Sequence, residues 1–205
     1  MPNWCSSFIS IDGSVENIQK IREILESTDF SKKDAKGVFE TLVGRDENIT
    51  EEEFRNGGWY NHNINRYGCK WDIGEDVEFQ YGDKFITFNC ETAWSPPTGF
   101  CKLLSEKYQV KVRCEFEEPG CQFAGHYEID ADGNVSEETL DYLEGIHKND
   151  EVHFDHEIRS RNEYSIDMGE TFEDFIEQYD FKFLGDNWKE ELRKIWDEVL
   201  VEMED

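Results

Sequence analysis

Hydrophobic and polar residues alternate in short segments along the first two thirds of the chain, and this pattern is typical of half-buried strands. Residues 3–11 form the first segment. Residues 76–90 predict a hairpin, because alternation continues on both sides of a two-residue Gly-Asp turn. Two further strands are predicted around 110–116 and 123–129, and Pro119-Gly120 provides the turn between them.

Helical periodicity appears between these strands. Ser14 is expected to cap a helix whose apolar residues recur at three- and four-residue spacing. Ser95 is expected to cap a second helix, with Pro96 at its first position. The resulting order, β-α-(insertion)-β-β-α-β-β, predicts an α+β fold: a split β-α-β sandwich with an added hairpin.

Residues 31–75 are interpreted as an insertion that decorates the sheet. They are polar, rich in turn-forming residues and then in aromatic residues, and they hold two short helical candidates, Lys33–Leu42 and Thr50–Arg55. Thr50 and Glu53 predict a capping box at the second of these.

The last third has a different pattern and is interpreted as an acidic, mainly helical C-terminal extension, residues 136–205, which follows a domain of residues 1–135. Its predicted elements are a short helix over 136–146, a strand over 152–158, and helices over 171–179 and 186–203. The last helix has an apolar stripe on one side.

Negative charge is concentrated in this last third. The chain has a net charge of −27. Residues 1–127 carry 22 acidic and 14 basic side chains, whereas residues 128–205 carry 26 acidic and seven basic. Such a field repels nucleic acid and anionic membranes and attracts basic proteins. We therefore expect a protein partner with a basic surface, and no direct binding to nucleic acid or membrane.

The six cysteines lack the C-x-x-C spacing of zinc or redox sites and are expected to be reduced core residues of a cytosolic protein. The start of the chain has no signal-peptide pattern, and no apolar run approaches the roughly 20 residues of a membrane span. We expect a soluble, cytoplasmic protein.

Two segments resemble metal sites. Residues 128–133 resemble the first half of a calcium loop, but the twelfth position is Thr139, so a hairpin turn is the preferred interpretation. His153 and Asp155 would share one face of the predicted strand, with His126 nearby, which makes a metal-dependent hydrolase the weakest of the hypotheses. No phosphate-binding loop or nucleophile motif is present, so no catalytic residue and no cofactor is predicted.

Three of the six tryptophans lie between residues 59 and 97. Either Trp71 and Trp94 pack the insertion onto the sheet, with Asp72 and Glu91 fixing loop N–H groups, or the aromatic residues line a small-ligand pocket. The candidate pocket residues are Trp59, Tyr60, His62, Lys70, Trp71, Asp72 and Trp94.

Carboxylates on the last predicted helix form a candidate partner-binding surface that could imitate a phosphate backbone. A solvated helix face is the alternative, because three basic residues, Lys189, Arg193 and Lys194, interrupt the row. The candidate residues are Asp186, Glu190, Asp197, Glu198 and Glu202.

Four short sequence motifs carry a family resemblance. They are Pro2-Asn3-Trp4-Cys5-Ser6, Tyr67-Gly68-Cys69-Lys70-Trp71-Asp72, residues 91–97, and residues 118–125. Together they resemble the YubB-type ferredoxin-like family of phage and plasmid proteins, although that family more often has Thr at position 69 and Asn at position 7. The resemblance implies a ferredoxin-like core, phage or plasmid origin and the cytoplasm of a bacterial host. It supplies no catalytic residues.

Two functional hypotheses stand beside the metal-dependent hydrolase. The first is a non-enzymatic accessory protein that uses its acidic surface to bind and inhibit a host protein, such as a nucleic-acid-handling or defence enzyme. The second is a protein that binds a small, nucleotide-like ligand with the Trp-rich loops.

Overall fold

The computed structural model describes residues 3–32, 35–74 and 76–204, and it divides into two compact units, Met1–Tyr142 and Leu143–Asp205. The first unit combines one sheet with helices. Its strands are β1 (Trp4–Asp12), β2 (Phe79–Tyr81), β3 (Phe85–Ala93), β4 (Lys111–Glu118), β5 (Phe123–Ile129) and β6 (Val135–Asp141). Its helices are α1 (Val15–Ser27), α2 (Val38–Val43), α3 (Glu51–Glu53), α4 (Trp59–Tyr67) and α5 (Thr98–Tyr108).

The sheet has the order β2-β3-β1-β4-β5-β6 with antiparallel pairing throughout. Helix α1 and the insertion lead from β1 to β2, and β3 then lies between β2 and β1 in the sheet. Helix α5 connects β3 to β4, which pairs with β1 on its other side. This is the predicted split β-α-β sandwich, so the α+β prediction is confirmed.

One face of the sheet forms the core. Alternate residues of β1 are buried, among them Ile9 and Ile11, and they pack with the buried stripe of α1. Ser14 accepts a hydrogen bond from the Asn17 N–H and caps α1 as predicted. The other β1 face leaves Phe8 exposed. Burying one face of each strand supplies most of the favourable free energy of folding.

The insertion forms α2, α3 and α4, which precede β2. Thr50 and Glu53 form the predicted capping box at α3. Gly57, with φ of 106°, separates α3 from α4 through a turn that an L side chain rarely adopts. Lys33 and Glu75, at the predicted start of the first short helix and the predicted end of the insertion, lie outside the described residues.

Two secondary-structure predictions for the chain after β5 are wrong. The segment predicted as a helix over 136–146 is instead strand β6, followed by helix α6 (Tyr142–Asn149). Strand β6 therefore extends the first unit beyond residue 135. The β6 sequence is almost wholly exposed, because it lies at the sheet edge, and so it lacks the alternating apolar residues that mark a strand.

The predicted strand over 152–158 is also wrong, because helix α7 spans Glu151–Asp167. Its buried residues are Phe154, Ile158, Asn162 and Ser165, which follow a helical spacing of three and four. Two of these four are polar, so the apolar pattern that identifies a helix is interrupted where it should continue.

The second unit continues with α8 (Phe172–Glu177), a 3-10 turn (Lys182–Leu184) and α9 (Trp188–Glu204). Leu192, Trp196 and Val199 of the predicted apolar stripe of α9 are buried. Trp196 lies 5.6 Å from the ring of Phe175, which also contacts Phe181 at 5.8 Å, so aromatic side chains supply much of this core.

Five of the six cysteines are buried and free, whereas Cys121 is exposed and free. Burial raises the pKa of the Cys5 thiol to about 12. The buried thiols therefore behave as small apolar core residues, as predicted.

Residues 128–133 form a hairpin turn. Asp130 Oδ1 accepts hydrogen bonds from the N–H groups of Asp132 and Asn134, both at 2.9 Å, and Gly133 adopts φ of 86°. The Asp-Gly turn preferred over a calcium loop is confirmed.

Candidate functional site

Two loops meet at the start of β1. Ser95 does not cap α5 as predicted; its hydroxyl instead donates to the Gly68 carbonyl at 2.6 Å, which ties the loop after β3 to the loop after α4. The Trp94 N–H donates to the Asn3 carbonyl at 3.0 Å and so places Trp94 beside β1. The Trp71 ring lies 5.9 Å from the ring of Trp4.

These contacts create an exposed aromatic corner, which we define as Trp4, Tyr60, Lys70, Trp71 and Trp94. The three tryptophans are 44%, 37% and 49% exposed in chain order. The Lys70 ammonium lies 4.3 Å from the Trp71 ring centre and 5.8 Å from that of Tyr60, which is cation–π geometry. None of these five residues lines the cleft described below.

Trp59 and Tyr60 were both predicted to line a pocket. The Trp59 ring contacts Tyr60 edge-on at 5.8 Å and is half-buried, whereas Tyr60 is exposed. Trp4 also belongs to this group, although it was not among the predicted pocket residues. The only sequence feature that singled it out was the motif Pro2-Asn3-Trp4-Cys5-Ser6, which contributes to the family resemblance.

Asp72 has a structural role, because its carboxylate is bonded to backbone N–H groups of the insertion. Its carboxylate accepts hydrogen bonds from the N–H groups of Phe39 (2.7 Å), Glu40 (2.9 Å) and Ile73 (2.8 Å). It therefore caps the N-terminus of α2, where Gly37 occupies the N-cap position without a capping side chain. Burial raises the pKa of Asp72 to about 6, against the lowering effect of these three donors.

His62 is also held by the protein itself. Its Nε2 accepts the Asp46 N–H at 3.1 Å, so Nδ1 carries the proton in this arrangement and donates to Asn63 Oδ1 at 2.9 Å. The imidazole is buried and contacts the rings of Phe54 and Tyr67 edge-on. The Nε2 bond thus positions the loop before α3, and the Nδ1 bond fixes the ring against Asn63 of α4.

A cleft of about 550 Å³ opens between α4 and α5. Asn61 and Asn65 lie one helical turn apart on α4, and Lys102 and Glu106 lie one turn apart on α5. Of the predicted pocket residues, only His62 lines this cleft. The cleft walls are mixed, with apolar side chains such as Leu103 beside amide and charged groups.

The predicted acidic residues lie on α9 or immediately before it. Asp186, Glu190 and Asp197 are exposed, and they form no ion pair within the part of the chain that the structure describes. Glu198 and Glu202 lie against Arg159 of α7, with N–O distances of 2.5 and 3.5 Å. The charge of these last two carboxylates is therefore partly neutralised.

The metal-site hypothesis loses its geometric basis. On helix α7, His153 and Asp155 lie two positions and so about 200° apart around the axis, instead of on one face of a strand. His126 lies on β5, where its Nε2 is 3.5 Å from the Ser136 hydroxyl. Among residues 3–32, 35–74 and 76–204, no group of three or more His, Cys, Asp or Glu side chains could hold a metal ion.

Every helix that the structure describes is too short or too polar to span a membrane.

Comparison with known proteins gives a family match for part of the chain. No curated protein matches the sequence. The crystal structure of protein Api92 from Yersinia pseudotuberculosis is similar with 12% sequence identity and a TM-score of 0.41, covering 67% of this chain and 98% of that one. Residues 66–159, from α4 to α7, match the family model described as the ferredoxin-like domain in Api92-like protein. The chain therefore contains a ferredoxin-like domain similar to that of Api92-like proteins.

Proposed function

We propose that this is a non-enzymatic accessory protein, of the phage- or plasmid-borne kind that the YubB resemblance implies. In the cytoplasm of a bacterial host it would bind a basic surface of a host protein and inhibit it. The acidic second unit is the binding surface. Nucleic-acid-handling and defence enzymes are the partner class, because such enzymes carry basic surfaces that contact phosphate.

The observation that carries the proposal is the charge of the second unit. Residues 143–205 hold 20 acidic and seven basic side chains, a net charge of −13 in 63 residues. Asp186, Glu190 and Asp197 face solvent there. Complementary charge accelerates association and selects partners of opposite sign.

The charge spacing favours a basic protein patch over close imitation of DNA. Helix α9 has six acidic and three basic residues along its 17 residues, a net charge of −3. At about 1.5 Å per residue, this is roughly one net charge per 8 Å, against one per about 1.7 Å along duplex DNA. We therefore assign recognition to the carboxylates of the whole unit, not to α9 as a copy of a phosphate backbone.

The test is affinity capture from host lysate at low salt, followed by elution at high salt and identification of bound proteins by mass. We expect a stoichiometric partner that elutes with salt. A triple variant, Asp186→Lys, Glu190→Lys and Asp197→Lys, is expected to retain at least about tenfold less of it, because each reversal replaces an attraction with a repulsion.

The matched control makes three charge reversals on the first unit, Glu23→Lys, Glu47→Lys and Glu52→Lys. All three positions are exposed, and none forms an ion pair among the described residues. This variant changes the net charge equally and is expected to retain the partner. Equal loss with both triple variants would show that net charge alone matters and would refute the assignment to the second unit.

The cleft between α4 and α5 favours a second candidate, a protein that binds a small polar ligand. Its volume of about 550 Å³ falls within the roughly 300–1,000 Å³ of ligand pockets, and it presents amide groups from Asn61 and Asn65 opposite Lys102. This moves the small-ligand hypothesis from the Trp-rich loops to the neighbouring helices.

The ligand hypothesis is tested by thermal unfolding in the presence of nucleotides and related metabolites. A ligand that binds the cleft is expected to raise Tm in the native protein and not in the Asn65→Leu variant. A rise that is unchanged in the variant would place the ligand elsewhere, and no rise with any compound would remove this candidate.

A further inference from the structure

A groove of about 440 Å³ opens on the second unit and lies wholly within it. It is formed by α6, the first turns of α7 and α9, and the 3-10 turn at 182–184. The residues that line it are His147, Glu151, Val152, Phe154, Asp155, Leu184, Glu191, Leu192 and Ile195.

The inside of this groove is apolar and fixed by ring contacts. The His147 ring lies 4.9 Å from Phe154 and 5.6 Å from Phe183, and the two phenylalanines are 6.0 Å apart. Leu192 and Phe154 are buried, so they form its floor. Val152 is 80% exposed on the wall, where a docked apolar side chain would remove its surface from water.

The rim is negatively charged. Glu151 and Glu191 are exposed, and neither forms an ion pair among the described residues. Asp155 is the third rim carboxylate and is paired with Arg159 at 3.1 Å. The nearby cation Lys148 lies 3.9 Å from the Glu144 carboxylate, which reduces its effect on the rim.

We propose that this groove receives an apolar side chain of the partner that is flanked by arginine or lysine, as on one face of a basic amphipathic helix. The apolar side chain enters between Val152 and Ile195, and the flanking cations meet Glu151 and Glu191. This rests on the proposed function and names the docking point within the acidic unit. Long basic side chains suit such a site, since their alkyl stems cover apolar surface while their charged ends reach the rim.

Charge argues against the other occupants. Nucleic acid and anionic membranes would be repelled by a unit with 20 acidic and seven basic side chains. A second copy of this chain would bring a net charge of −27 of the same sign to the rim. A basic partner is the one class for which both the apolar floor and the charged rim are favourable.

The probe is a fluorescent synthetic helix of about 15 residues with leucines along one face and arginines beside them, titrated with the full-length protein and followed by anisotropy. Val152→Ser is expected to weaken binding about 5- to 10-fold through lost apolar contact, and Glu191→Lys by about 10-fold or more. A second peptide with serine in place of leucine is expected to bind about 10-fold more weakly than the first.

Matched controls keep the same chemistry elsewhere on the second unit. Val201→Ser changes an exposed valine near the end of α9, and Glu177→Lys reverses an exposed carboxylate at the end of α8. Val201→Ser is expected to change the affinity less than about twofold, and Glu177→Lys is expected to weaken binding clearly less than Glu191→Lys, because neither residue lines the groove.

The outcomes separate this inference from the proposed function. Equal weakening by Glu191→Lys and Glu177→Lys, with Val152→Ser silent, overturns the groove but leaves a diffuse acidic binding surface in place. Absence of peptide binding at low salt also overturns the groove, while the proposed function is then decided by the capture experiment and its triple variants. Selective weakening by the two groove variants supports the inference.

Discussion

Removing the Asp72 carboxylate tests whether this residue holds the insertion together or belongs to a ligand site. The Asp72→Ala variant deletes three hydrogen bonds of 2.7–2.9 Å to the N–H groups of Phe39, Glu40 and Ile73. Two of these donors are in the first turn of α2, which has no other side-chain cap. The variant should therefore destabilise the first unit even in the absence of any ligand.

The size of the effect follows from two opposing contributions. Loss of a capping side chain costs about 0.5–2 kcal/mol, and partly buried N–H groups left without partners cost about 1–3 kcal/mol more. Removing a partly buried charge offsets some of this, since burial already raises the pKa of Asp72 to about 6. We expect a net loss of about 2 kcal/mol at pH 7.5, which lowers Tm by about 4–8 °C.

Urea unfolding followed by tryptophan fluorescence measures this loss, and hydrogen exchange locates it. The Phe39 and Glu40 amides should exchange faster in the variant, because they lose their acceptor. Asp83→Ala is the matched control, since Asp83 is exposed in the β2–β3 turn and has no side-chain hydrogen bond among the described residues. This variant should change the free energy of unfolding by less than about 0.5 kcal/mol. A loss below that value for Asp72→Ala, with unchanged exchange, would refute the capping assignment.

Three further predictions follow from the structure. The native pKa of Asp72, about 6, lies above its unfolded value of 3.8, so the native state takes up this proton first as pH falls. The free energy of unfolding of the wild-type protein should therefore rise by about 1.4 kcal/mol relative to that of Asp72→Ala between pH 7.5 and 5.0. Urea titrations in which this difference shrinks as pH falls would contradict the prediction. A thiol reagent should modify only Cys121 in the native protein and all six cysteines after unfolding, and fast native labelling of several thiols would contradict their burial. Gly125→Ala should cost about 2 kcal/mol or more, because a Cβ there would lie 2.0 Å from the Glu138 carbonyl, whereas Gly74→Ala meets nothing within 4 Å; equal urea midpoints for the two variants would disprove this crowding.

Most strands of the first unit were predictable because each has one face toward the core and one toward solvent. In β1, β3, β4 and β5, one face is buried and the other meets solvent, so the sequence alternates. Strand β6 has no such contrast. It is held in the sheet by backbone pairing with β5, and this pairing leaves no hydrophobic pattern in the β6 sequence.

Helix α7 was missed for a different reason. Asn162 and Ser165 occupy buried positions on the face that Phe154 and Ile158 begin. The sequence therefore shows an apolar face only in its first half, and within residues 152–158 alternation and helical spacing cannot be told apart. The stripe of α9 was predictable, because its buried residues Leu192, Trp196 and Val199 are all apolar and follow a helical spacing of four and three.

The role of Asp72 shows the limit for the candidate site. The sequence around Asp72 is compatible with fixing loop N–H groups or with lining a pocket, but its two α2 donors lie 32 and 33 residues earlier in the chain. Only the folded insertion shows which donors it meets. Likewise the cleft combines side chains of α4 with Lys102 and Glu106 of α5, and their meeting depends on helix packing that no local pattern encodes.

Zero-length crosslinking of the captured complex tests the central proposal most directly. A carbodiimide joins carboxylates to partner lysines only where the two are in contact, and mass spectrometry then identifies the joined residues. We expect crosslinks from Glu190, Glu191, Asp197 and neighbouring carboxylates of residues 143–205 to a basic surface of the partner. Crosslinks confined to carboxylates of the first unit, with none from residues 143–205, would contradict the account.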